Sequence, residues 1–232
     1  MSSDAKSSLA VGDAVARSNP SLFAEIESDV AIRICHQLPT AVTPDHLTGL
    51  GLVGALVAGG GYLMMPINAN YAWLATLGIL LNWIGDSLDG NLARVRKAER
   101  PRFGFFIDHS VDALSTFAVM VGLSLSGMVN PIVGLVVLAT HNLMVSYVFI
   151  NHAVSRVLVI AHSRIGPTEI RILLMVANTL FVLAAVFMPD SLGAMRNVMN
   201  VLFATWGLGS FATFISSVTR TALRLRRELG TR

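Results

Sequence analysis

Long uncharged apolar runs alternate along the chain with short polar interruptions, and the runs are longer than the core face of a soluble helix requires. Residues 47–66 carry no charge over about 20 positions, which at roughly 1.5 Å per residue crosses about 30 Å of hydrocarbon. Pro66, Asn68 and Asn70 predict a turn. A second apolar run covers 71–85 and continues into the charged stretch 86–102. No Asp, Glu, Lys or Arg occurs in 113–155, too long for one span, and Gly127-Met128-Val129-Asn130-Pro131 predicts a turn inside it. Two helices, roughly 105–128 and 131–152, follow from that division. A fifth run covers 170–188 and ends at Pro189-Asp190, and a sixth covers 197–219. The pattern predicts an all-α polytopic membrane protein, a bundle of six transmembrane helices.

One further helix is predicted before the first span. In 21–38, Leu22, Phe23, Ile26, Val30, Ile34 and Leu38 recur at three- and four-residue spacing, while Glu25, Glu27, Ser28 and Asp29 fall elsewhere. That is the pattern of an amphipathic helix lying at the membrane interface, or of one packed on a cytosolic partner. The start, MSSDAKSSLAVGDAV, lacks the apolar core of a cleaved signal peptide and is expected to be a polar cytosolic lead-in. The expected organisation is a polar N-terminus with a juxtamembrane helix over 1–40, a six-helix domain over 41–222 and a basic tail over 223–232.

Composition agrees with a membrane protein: 13% of residues are charged, against about a quarter in a typical soluble domain. The excess of 17 Lys and Arg over 14 Asp and Glu gives a net charge of +3. These cations flank apolar runs rather than forming a patch interleaved with aromatics, which argues against nucleic acid as a partner. Arg94, Arg96, Lys97, Arg100 and Arg102 lie between spans two and three, Arg156, Arg164 and Arg171 between four and five, and Arg220, Arg224, Arg226, Arg227 and Arg232 after six. Lys6, Arg17 and Arg33 precede span one, and only Arg196 falls in the opposite set of loops. By the positive-inside rule both termini and these two loops are cytoplasmic, and an even span count satisfies that. Cys35 is the one cysteine, so an internal disulfide and a cysteine-cluster metal site are excluded.

Chemistry concentrates where spans two and three meet that side. Asp86 and Asp89 are three residues apart, and Asp108 and Asp112 four apart, so each pair shares a helix face. Antiparallel neighbours joined by a short loop bring both pairs to one depth. Four carboxylates there would repel one another and be costly to bury. Either neighbouring Arg94, Arg96, Lys97 and Arg100 neutralise them as a charge network, or hard divalent cations do. Mg²⁺ or Mn²⁺ suits an all-carboxylate site, and two such ions about 3.5–4 Å apart stabilise displacement at phosphorus. Small residues favour the second reading. Gly90, Ala93 and Gly104 fall on the carboxylate faces, where glycine in a helix costs about 1 kcal/mol relative to alanine and leaves room for a nucleotide. Arg94 adds a fixed positive charge suited to phosphate.

Asp86-Ser-Leu-Asp89-Gly90-Asn-Leu-Ala93-Arg94, nine residues, then Gly104-Phe-Phe-Ile-Asp108-His-Ser-Val-Asp112 resembles the signature of the CDP-alcohol phosphotransferase family at all its fixed positions. The wider resemblance covers about residues 40–222. It implies a phospholipid-synthesising membrane enzyme that transfers a substituted phosphate group from a CDP-linked donor to an alcohol, with release of CMP. It implies that Asp86, Asp89, Asp108 and Asp112 ligate Mg²⁺ or Mn²⁺, that Asp112 is the base for the acceptor hydroxyl, and that Gly90, Ala93, Arg94 and Gly104 line the CDP site. It also implies a homodimer and, from the compact size, a bacterial inner membrane.

Two donor classes remain open. His109 after Asp108 and the segment Gly166-Pro167-Thr168-Glu169 resemble the branch that uses CDP-choline or CDP-ethanolamine with diacylglycerol. Phe105, where that branch carries Glu, and the short chain lean towards CDP-diacylglycerol. His109, Arg164, Glu169 and Arg171 are candidates for the acceptor site. An ion or proton transporter would place its acids near mid-bilayer, and a membrane prenyltransferase would need a second aspartate cluster. The glycines of span one (Gly49, Gly51, Gly54, Gly59, Gly60 and Gly61) are expected to pack helices closely. The GxGxxG at Gly49, Gly51 and Gly54 follows no strand and is no dinucleotide motif.

Overall fold

A computed structural model describes residues 24–155 and 166–230. Lys6, Arg17, Leu22, Phe23, Arg156, Arg164 and Arg232 lie outside the described residues. Those residues form seven α-helices and no strand: α1 (Ala24–Gln37), α2 (Pro44–Met64), α3 (Tyr71–Val95), α4 (Pro101–Leu125), α5 (Pro131–Ser155), α6 (Pro167–Phe187) and α7 (Leu192–Gly230), with a 3₁₀ turn at Pro189–Ser191 before α7.

Their boundaries follow local chemistry. Pro44, Pro101, Pro131 and Pro167 each open a helix, where proline's missing N–H removes no intrahelical bond. Thr43 caps α2: its hydroxyl accepts from the His46 N–H at 3.3 Å, and His46 Nδ1 accepts in return from the Thr43 N–H at 3.3 Å. The expected turn after residue 126 is present, and Gly127 takes a φ of 79° that other residues adopt reluctantly.

Five helices are long and apolar enough to cross a bilayer: α2, α4, α5, α6 and α7. The predicted second span, α3, is 25 residues long but falls outside that set, since Tyr71, Trp73, Asn82, Trp83 and Asp86 dilute its apolar run. Large apolar side chains such as Leu56, Leu77, Phe117, Val136, Leu180 and Leu208 stand exposed around the bundle. Exposure on that scale belongs to a surface that meets lipid. The chain is a multi-pass membrane protein.

Helix α2 is central, packing along α3 on one side and α4 on the other, while α6 lies on α3 and α7 pairs with α5. Much of the α2–α3 contact is backbone to backbone. Gly51, Gly54, Ala58 and Gly61 of α2 face Ala75, Gly78, Asn82 and Gly85 of α3, and a Cβ on Gly61 would stand 2.5 Å from the Ala75 nitrogen. Small residues at such spacing let membrane helices approach closely. The packing expectation therefore holds for Gly51, Gly54, Gly59 and Gly61, whereas Gly49 and Gly60 have nothing within 4 Å of where a Cβ would be. Asn82 Nδ2 donates to the Gly51 carbonyl at 3.0 Å across the same seam. Deeper in the bundle, Tyr62 donates to Asn178 Oδ1 at 3.0 Å and Asn178 Nδ2 donates to Thr76 at 3.1 Å, tying α2, α6 and α3 together.

The seam has a consequence for chemistry. It fixes the C-terminal end of α3 against the N-terminal end of α2 and, through Gly59 and Gly122, α4 against the same helix. The two aspartate pairs are thereby held on helices with little freedom to slide.

Candidate active site

Asp86 and Asp89 sit in the last three turns of α3, and Asp108 and Asp112 in the first half of α4. Carboxylate oxygens of Asp86, Asp108 and Asp112 all lie within 4.8 Å of one another. Asp89 lines the same cavity, with Thr48 and Gly51 of α2, Asn82 of α3 and Val111 of α4. Its Oδ2 accepts from the Thr48 hydroxyl at 2.7 Å, and Thr48 also donates to the Pro44 carbonyl at 3.2 Å. The convergence inferred from spacing is thus present, with a third wall from α2.

The nearby cations are largely engaged elsewhere, which runs against a charge network with the aspartates. Arg96 donates to carbonyls of the α1–α2 connection, at 3.2 Å to Leu38, 2.8 Å to Pro39 and also to Val42. Arg100 pairs with Asp45 and lies over the Phe103 ring, its guanidinium carbon 4.6 Å from the centroid. Arg94 donates to Asn91 at 3.0 Å one turn back on its own helix. The cation that reaches the acids comes from much further along the chain: Arg171 Nη2 donates to Asp86 Oδ2 at 2.6 Å.

A Cβ on Gly104 would meet nothing within 4 Å, and one on Gly90 only the tip of Arg94 at 3.9 Å. Among the described residues neither glycine is required by packing, which leaves space beside them for a ligand. Ala93 is half-buried on the same helix.

The acceptor candidates separate. Arg171 stands at the acids. His109 Nδ1 lies 3.4 Å from Asp108 Oδ2 and 3.0 Å from the Phe105 carbonyl, its ring stacked on Phe105 at 4.3 Å and edge-on to Phe149 at 5.4 Å. Glu169 accepts from the Gly166 N–H at 2.9 Å, capping the start of α6. Arg164 lies outside the described residues.

Thr48 and Asn82 were not singled out by the sequence. Nothing local marks them: Thr48 lies 41 residues from Asp89, and their meeting depends on the α2–α3 seam. Glu27 of α1 is another such residue. It accepts from the Trp83 indole at 2.8 Å and from the hydroxyls of Ser87 and Thr168.

Comparison with known proteins agrees with this architecture. The family model for CDP-alcohol phosphatidyltransferases matches residues 41–215, which takes in every helix from α2 to most of α7. A stretch of 109 residues is 36% identical to the archaetidylinositol phosphate synthase of Methanothermobacter thermautotrophicus, covering 47% of this chain and 52% of that protein. The chain thus spans about half the length of that curated relative. With the signature aspartates converging from two helices and the family match covering most of the chain, the protein belongs to the CDP-alcohol phosphatidyltransferase family.

Proposed function

We propose that this chain transfers a substituted phosphate group from a CDP-linked lipid to an alcohol and releases CMP, as a step of phospholipid synthesis. The convergence of Asp86, Asp108 and Asp112 within 4.8 Å, beside open space at Gly90 and Gly104, carries the reading. An all-oxygen set of this kind fits hard divalent cations, Mg²⁺ or Mn²⁺, with Asp89 completing the site from the same cavity. When bound, such ions supply charge neutralisation for the diphosphate and the departing CMP. The residues supply the rest. Gly90, Ala93, Gly104 and Arg94 receive the cytidine diphosphate. The acceptor oxygen attacks the phosphorus distal to cytidine, the phosphorus–oxygen bond to CMP breaks, and the electron pair leaves with CMP. Asp112 takes the proton of the acceptor hydroxyl. Thr48, donating to Asp89, fixes that carboxylate's orientation.

Arg171, which donates to Asp86, and His109, which lies 3.4 Å from Asp108, serve the acceptor. The relative's name describes a lipid-linked inositol phosphate as its product, which supports a CDP-lipid donor and a phosphorylated polyol acceptor here, with Arg171 binding the phosphate. We place α3 across the membrane as a sixth span, both termini on the cytoplasmic side, and α1 at the interface. Ile26, Val30 and Ile34 on its exposed stripe support that placement.

CMP release by purified enzyme with Mg²⁺ tests the proposal. CDP-diacylglycerol is paired with inositol phosphate and with other alcohols, and CDP-choline or CDP-ethanolamine with diacylglycerol. The expected result is CMP from the lipid donor alone, lost on chelation. CMP from CDP-choline or CDP-ethanolamine instead would assign the other branch, as His109 and the Gly166–Glu169 segment suggest. No CMP from any pair, with cytidine nucleotide binding absent, would sink the reading.

A further inference from the structure

The N-terminal helix α1 has two faces of different character. Ile26, Val30 and Ile34 form one stripe and are exposed, at 63%, 49% and 41%. The neighbouring stripe, Glu27, Ala31 and Cys35, faces the bundle. Ala31 and Cys35 are each only 3% exposed and pack with Leu88 and Leu92 of α3. A helix held by apolar contact alone would carry another small or apolar residue one turn earlier. It carries Glu27.

That carboxylate reaches into the groove between α3 and α6. Its Oε1 accepts from the Trp83 indole N–H at 2.8 Å and from the Ser87 hydroxyl, and its Oε2 accepts from the Thr168 hydroxyl. Burial alone would raise its pKa, but the Ser87 and Thr168 hydroxyls, the indole N–H and the nearby Arg171 guanidinium outweigh burial and hold it below the ordinary carboxylate value. The donors bracket the site in sequence. Trp83 and Ser87 stand on either side of Asp86, and Thr168 lies one turn before Arg171, the residue that donates to Asp86 at 2.6 Å. The only other side-chain tie between these two helices already described, Asn178 to Thr76, lies ten residues along α3 from Asp86, about 15 Å away. Without Glu27 the first turn of α6 would be tied to α3 near the acids through the Arg171–Asp86 pair alone among these bonds.

We infer that Glu27 is a positioning residue for the transfer reaction: by clamping α3 to the first turn of α6 from outside the signature, it sets where Arg171 stands against Asp86. The inference rests on the reading of Arg171 as an acceptor-binding group, and it makes α1 part of the reaction site as well as a membrane-facing helix.

The test uses the full chain in detergent with Cys35→Ala, spin labels at exposed Ile84 of α3 and Leu173 of α6, and a pulsed distance measurement. Glu27→Ala is expected to shift or broaden the α3–α6 distance distribution, and Glu27→Gln, which keeps one oxygen for Trp83 and Ser87, to do so less. The same variants, without labels, are assayed for CMP release. Glu27→Ala should raise the acceptor KM about tenfold, since small displacements of positioning groups are costly, with donor KM near wild type and the thermal midpoint lowered because buried Thr168 loses its acceptor. Glu27→Ala with Arg171→Ala should behave like Arg171→Ala alone. An unchanged distance distribution, or additive effects of the two substitutions, would overturn the inference. If Arg171→Ala leaves the acceptor KM unchanged, the acceptor-binding reading of Arg171 falls, and the distance measurement decides the clamp by itself. Should Glu27→Ala not fold, Glu27→Gln carries both arms.

Discussion

Gly85 and Gly90 lie five residues apart on α3, and a side chain would meet very different surroundings at the two. At Gly85 a Cβ would collide with the backbone of Leu47 and Gly51 on α2, whereas at Gly90 it would find only the end of Arg94 at 3.9 Å. The first glycine exists because α2 and α3 meet backbone to backbone there and leave no room for a side chain. The second has no protein neighbour that demands it, and glycine there leaves α3 without the side chain that would favour the helix. One residue type thus carries two messages: at the seam it holds the bundle together, and at the signature it keeps space open beside the acids. The distinction lies in what faces each position, which spacing along one helix does not reveal.

The largest effect expected on the open side comes from Asp112. Asp112→Asn keeps the shape and removes the proton acceptor, so CMP release should fall by about 10²–10⁴-fold while the thermal midpoint holds, because the side chain is exposed and the substitution relieves like charge beside Asp86 and Asp108. Steady-state assays alongside thermal unfolding separate those quantities. A parallel loss of folded protein would instead make the acids structural.

At the seam the order reverses. Gly78→Val would drive a branched side chain into the backbone of Gly54 and Ala58. Overpacking of this kind costs about 1–3 kcal/mol and more where only backbone can yield. The expected outcome is a strongly lowered thermal midpoint or loss of monodisperse protein on size exclusion. Residual activity should track the folded fraction. Wild-type stability in this variant would mean the helices lie further apart than the structure has them.

Gly104→Val is the matched substitution on the open side. With nothing within 4 Å of the added Cβ, stability should not fall, and helix propensity slightly favours the change. The donor KM should rise about tenfold, equivalent to about 1.4 kcal/mol of binding, with the acceptor KM unaltered. A donor titration at saturating acceptor measures it. An unchanged donor KM would move the nucleotide away from this face.

Much of this arrangement is legible in the sequence, and what is not has a common cause. Six apolar runs, their turns and the aspartate spacing follow from local pattern, and the helices at 44–64, 71–95, 101–125, 131–155, 167–187 and 192–230 overlap those runs. However, α3 continues ten residues past 85, α7 extends well beyond 197–219, and five of the six are apolar enough to cross a bilayer. A helix does form at the predicted place, as α1, but its two faces divide in a way its periodicity hides. The apolar stripe of Ile26, Val30 and Ile34 faces outward, and the polar Glu27 faces the protein. The pairings that shape the site join residues far apart in sequence: Thr48 with Asp89 over 41 positions, Arg171 with Asp86 over 85, Glu27 with Thr168 over 141. None has a local signature, since each partner's own helix would form equally well without it. The cluster Arg94, Arg96 and Arg100 illustrates the converse. Adjacency to the aspartates suggested pairing, but helix geometry sends Arg96 and Arg100 to the α1–α2 connection and the first turn of α2.

The closest control compares two consecutive residues. A Cβ on Gly59 would stand 2.6 Å from the Ala118 carbonyl oxygen of α4, and a Cβ on Gly60 would meet nothing within 4 Å. Gly59→Ala should therefore lower the thermal midpoint, by the equivalent of about 1–3 kcal/mol for a clash against backbone. Gly60→Ala should leave it unchanged or raise it by up to about 1 kcal/mol, the propensity advantage of alanine in a helix. Neither residue approaches the acids, so the activity of whatever folds should be that of wild type in both. If the two alanines proved equally harmless, close packing would not be what α2 asks of its glycines. The contrast with Gly90 and Gly104 would then lose its reference, and only the substitutions that change donor affinity would still mark a glycine as part of the site.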